Sequence, residues 1–131
     1  MHADPYTDLV RILSRGRGFG HSEHLELAWT LLGRLPAPAA SDAIHRLLRD
    51  LAETHGMPNL FHATLTEAWV RVVARHRQLD PGTSFEEFLT LHPMLRDQHL
   101  ISRHYGVDLL AHDEARRTWV EPDISPLPVL V

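Results

Sequence analysis

Three histidines offer the clearest chemistry in this chain. His21 and His24 stand three residues apart in F-G-H-S-E-H-L-E-L-A-W, and His62 opens the segment H-A-T-L-T-E-A-W. On a wheel of about 100° per residue, His21 lies within about 40° of Leu25, Ala28, Leu32 and Leu35, and His24 within about 60° of His21. Counted from His62, the residues Thr66, Trp69 and Val73 lie within about 40°. The same geometry turns Glu23 and Glu26 toward solvent. Inward neutral imidazoles must satisfy both ring nitrogens, at a cost of about 1–3 kcal/mol for each bond left unmade. A metal ion satisfies one nitrogen and leaves the other to a carbonyl or carboxylate. Histidines at i, i+3 spacing share ions in helical bundles. His21, His24 and His62 are therefore candidate ligands of one divalent transition metal. Copper, zinc, iron and nickel all suit all-nitrogen ligation. Three histidines with open positions fit a catalytic ion that activates water or dioxygen, or polarises a substrate oxygen. Thr66, one turn beyond His62, is placed to contact a molecule bound there. Tyr105 is a candidate proton donor.

The other histidines fit blander roles. His45 is expected on a solvated helix face, and His55 at a helix C-terminus, where the dipole favours it. His76, His104 and His112 read as surface or cap residues, and His2 as part of a disordered start. His92 and His99 flank a proline that hides their geometry, so either could complete a site. Glu67, about 140° around from His62, is expected to point away from the histidines.

The elements that must position these residues read as helices. The expected spans are roughly 6–14, 22–35, 41–55 and 60–78, then a short helix to residue 91 opened by a Ser84/Glu87 capping box. Another runs from Pro93 to near Gly106, and a last one covers about 113–120. G-R-G-F-G, residues 16–20, reads as a tight turn; without a preceding strand it is no dinucleotide fingerprint. E-P-D-I-S-P-L-P should be extended. The fold expected is all-α: a compact single-domain bundle of about five to six helices over 1–131, with 1–5 and 122–131 as extended or flexible ends.

Composition narrows the classes further. The chain has 131 residues and no cysteine, so disulfides, thiolate metal sites and thiol nucleophiles are excluded. A net charge of −4 is a poor match for nucleic acid. No run of 18 apolar residues occurs, and the start lacks a basic segment followed by an apolar one, so a cytoplasmic protein is expected. The 11 histidines could reverse the sign of the net charge on full protonation, which makes a pH sensor a third reading.

Three segments carry a likeness. F-G-H-S-E-H-L-E-L-A-W, F-H-A-T-L-T-E-A-W and E-A-R-R-T-W-V-E-P-D-I-S-P-L-P resemble a family of small bacterial all-helical proteins. Its pattern is F-x-H-x-x-H-L-x-x-A-W, followed by [Y/F]-H-E-T-[I/L]-T. The likeness runs from about Phe19 to Pro128. It implies that His21, His24 and His62 are the recurring histidines, and Thr64 and Thr66 the recurring threonines. Ala63 departs from the pattern's Glu, so chemistry resting on that Glu is not implied here.

Together these readings give a small metal-dependent enzyme acting on a small molecule, without nucleic-acid or membrane partners and with homo-oligomer formation left open. The alternative is a non-enzymatic helical interaction protein whose histidines are hydrogen-bonded core residues.

Overall fold

Local signals set the first helix. In the computed structural model, which describes residues 4–130, the Asp4 carboxylate accepts from the Tyr6 N–H at 2.9 Å and Pro5 takes the first helical position of α1 (Pro5–Leu13). Gly16 and Gly18, both at φ 74°, then turn the chain into α2 (His21–Leu32). α3 (Ala37–Thr54) starts earlier than the expected Ser41. Pro36 is its N-cap and Pro38 lies in its first turn, where no backbone donor is needed.

α4 (Ala63–Leu79) follows a 3-10 turn at Pro58–Leu60 and begins three residues later than expected. His62 is its N-cap, not a member of its inward stripe. α5 (Phe85–Leu91) carries the anticipated capping motif: Ser84 Oγ accepts from the Glu87 N–H, and the Glu87 carboxylate accepts from the Thr83 N–H, both at 3.1 Å.

The segment expected as one helix from Pro93 is two 3-10 turns, Pro93–Arg96 and Leu100–Arg103. Between them the Asp97 carboxylate accepts from the His99 N–H at 2.9 Å, a local bond that competes with helix. α6 (Val107–Ala111) and α7 (Asp113–Arg117) complete the helices. α7 stops short of Val120 because Thr64 Oγ1 donates to Thr118 O and accepts from the Val120 N–H, which draws the chain out of helix.

The described residues contain seven α-helices and no strand, so the fold is all-α. None of these helices is long and apolar enough to cross a membrane. α2, α3 and α4 pack on one another, and α1 lies against α2 and α3. α2 is deeply enclosed: Leu25, Leu27, Ala28 and Leu31 are each at most 1% exposed, so it is covered on more than one face. Each fully buried leucine contributes about 1.5–3 kcal/mol. Glu26 is also buried, contrary to its expected outward direction. Arg15 donates to both its oxygens at 2.5 and 2.7 Å, and Arg11 adds a third bond at 3.3 Å, so a desolvated carboxylate is tolerated. Residues 1–3 and 131, including His2 and most of the end expected to be flexible at 1–5, lie outside the described residues. At the other end, Leu127 packs into the core.

Candidate functional site

The turn at Gly16–Gly20 delivers His21 and His24 to the first turn of α2, and the 3-10 turn at Pro58–Leu60 delivers Phe61 and His62 to the start of α4. These two helix entrances face Leu48 and Leu51 of α3 across a pocket of about 740 Å3. His21, His24, His62 and Thr66 all line it, so four of the five residues singled out from the sequence meet there.

Their chemical states differ. His21 donates from Nε2 to Leu95 O at 2.7 Å, and its ring stands edge-on to Trp69 with centroids 4.6 Å apart. His62 is fully engaged. Its Nδ1 accepts from the Leu65 N–H at 3.1 Å and its Nε2 donates to Leu110 O at 2.8 Å, tying the start of α4 to the end of α6. Burial, with Arg116 nearby, pushes the His62 pKa down. His24 is the exception: its Nε2 is shielded from solvent and has no hydrogen-bond partner among the described residues. Burial first, then the His21 and His45 imidazoles, hold its pKa at about 4, so it is neutral at pH 7. Thr66 is 6% exposed.

These imidazoles do not fit a joint three-ligand ion as they stand. His62 has both nitrogens committed to backbone, and no group of three His, Asp or Glu side chains is gathered for an ion among the described residues. The His62 ring was expected to point inward from a helix stripe; as an N-cap it spends Nδ1 on α4 itself.

Tyr105 is absent from the pocket wall. Its hydroxyl donates to Val120 O at 2.6 Å, and burial, with Glu121 nearby, pushes its pKa up to about 12. It anchors the C-terminal segment and is not a proton donor to the histidines. His92 and His99 do not reach the pocket either: His92 donates to Asp80 O at 2.8 Å, and His99 is exposed. His76 is half-buried and donates from Nδ1 to Val72 O at 2.8 Å.

A second cavity, about 730 Å3, lies between α3, α4 and the C-terminal segment. Glu67 lines it and, as expected, not the histidine pocket. Its carboxylate accepts from Ser41 Oγ, from His45 Nε2 at 3.1 Å and from Arg71 Nε at 2.9 Å. Burial opposes its ionisation, but the bonds from His45, Ser41 and Arg71 outweigh it and hold the pKa at about 2. His45 is therefore a half-buried partner of Glu67, not a solvated-face residue.

Sequence reasoning missed the apolar walls of the histidine pocket. Phe19 and Phe61 each stand in the quoted motifs, and Leu48 and Leu51 hold regular apolar positions in α3, so the signal was present without a reason to join them. Compared with family models, curated proteins and solved structures, the chain matches none.

Proposed function

We propose that the protein binds a small molecule in the pocket between the entrances of α2 and α4, with His24 as its polar contact. One observation carries this reading: His24, whose solvent-shielded Nε2 has no partner among the described residues, lines a cavity of about 740 Å3, within the usual size of ligand sites. An unmade bond of this kind costs about 1–3 kcal/mol, which a ligand's hydroxyl or carbonyl would recover. The family likeness supports the same place, since Phe19, His21, His24, Phe61, His62 and Thr66 stand in its two motifs and line this pocket. The neutral fluorophore phenylnaphthylamine should bind saturably, one per chain, and Ala52→Trp, which fills the pocket, should abolish the signal. A folded wild type with no saturable binding ends the reading.

A metal-dependent enzyme is the second reading. It is favoured by His21, whose imidazole is oriented through Nε2 by a carbonyl in the manner of metal-ligating histidines, and by the unspent His24. With His62 as third ligand it requires that residue to release Leu65 N–H or Leu110 O. Elemental analysis of untagged protein for copper, zinc, iron and nickel decides. Stoichiometric metal that is lost in a folded His24→Leu variant supports the enzyme; metal-free protein that also takes up none of these ions rejects it. A cytoplasmic location belongs to the same proposal, and cell fractionation tests it.

A further inference from the structure

The pocket wall specifies more than a volume. Among the described residues no Asp, Glu, Lys or Arg lines it, although charged residues make up 23% of the chain. The cavity on the other side of α4 holds Asp42, Glu67, Arg71, Glu121 and Asp123. An ionised ligand group entering the histidine pocket would lose water without gaining a counter-charge. At the N-terminus of α2 the Glu23 carboxylate accepts from the Gly20 N–H at 2.8 Å, which sets a negative charge beside the helix entrance and disfavours a second anion there. Phe19, Phe61 and Trp69 supply flat apolar walls, and Met57 and Leu60, 55% and 73% exposed, make an apolar rim.

We infer that the ligand is an uncharged, largely apolar ring compound carrying one hydroxyl or carbonyl group, which hydrogen-bonds to His24 Nε2. This assignment rests on the pocket reading above and narrows it. Neutral imidazole can donate or accept at Nε2 according to its tautomer, so either ligand group fits. An ammonium or a carboxylate in the same position would be buried beside four imidazoles, one threonine and one glutamine, with no charge to pair it.

The test uses one carbon skeleton in four forms: naphthalene, naphthol, naphthalenesulfonate and naphthylmethylammonium, each displacing phenylnaphthylamine from the full chain at pH 7. Naphthol should bind about tenfold or more tighter than either charged form. It should also bind several-fold tighter than naphthalene, and His24→Leu, with folding checked by circular dichroism, should erase that preference while naphthalene binding persists. His24→Phe repeats the measurement should the leucine variant fail to fold. Sulfonate or ammonium binding as tight as naphthol, still blocked by Ala52→Trp, overturns the neutral-ligand assignment and leaves the pocket reading standing. A naphthol preference that survives in both folded His24 variants overturns the role of His24. Phenylnaphthylamine that does not bind saturably overturns the pocket reading and this assignment together.

Discussion

Two cavities of nearly equal size flank α4, and they are built on opposite chemical plans. The groove at Glu67 is rich in charge, and both oxygens of its central carboxylate are bonded. Among the described residues the pocket at His24 is lined by no Asp, Glu, Lys or Arg, and one of its buried nitrogens is left unbonded. Volume therefore does not tell the two apart. What separates them is whether the polar groups are satisfied internally, because a satisfied network gains nothing from a ligand and an orphaned donor or acceptor does.

The contrast breaks most visibly in acid. His24 takes up a proton near pH 6.5 in the unfolded chain but only near about 4 in the folded one, so the unfolded state binds more protons between those values. Stability must then fall as pH drops through that window, by an amount on the order of 3 kcal/mol from this residue. Glu67, held at about 2 against an ordinary 4.5, keeps its contribution above pH 4.5 and loses it toward pH 2. Urea unfolding across pH should show both regions, with the upper loss shrinking in His24→Leu and the lower one in Glu67→Gln. Coincident losses in the two variants would mean that the regions are not independent.

At fixed neutral pH, Glu67→Ala should cost about 2 kcal/mol, because Ser41, His45 and Arg71 all lose their shared acceptor. Chemical denaturation that shows no change would place that network among the surface pairs of negligible worth. Tyr105→Phe should cost about 1 kcal/mol by removing the bond to Val120 O, while ligand binding stays intact. A loss of binding without a loss of stability would return Tyr105 to the site. The smallest effect is expected for His24→Leu near pH 7, within about 0.5 kcal/mol of wild type, since it removes a buried polar nitrogen that has no partner. A loss of several kcal/mol there would show that Nε2 is bonded in solution.

Much of the fold was legible in the chain. Capping at Ser84, the glycine turn before His21 and the apolar period of α3 each depend on neighbours within one or two turns, and local spacing reports them faithfully. Those residues gave the all-helical class, and the two motifs marked the entrances of α2 and α4. The boundaries that failed did so where a distant partner decided them: Thr64 draws Thr118 and Val120 out of helix across more than fifty positions. The hydrogen-bond partners of the histidines were illegible for the same reason. A helical wheel gives the direction in which a side chain leaves its own axis, but not what waits there. Leu95 O for His21, Leu110 O for His62 and Glu67 for His45 come from other parts of the chain. The sequence by itself determined which residues stand at the two helix entrances. Only the tertiary structure decided that His62 is a clasp, that His45 belongs to the charged groove, and that His24 keeps an unused nitrogen, because hydrogen-bond satisfaction is a property of what packs opposite and not of spacing.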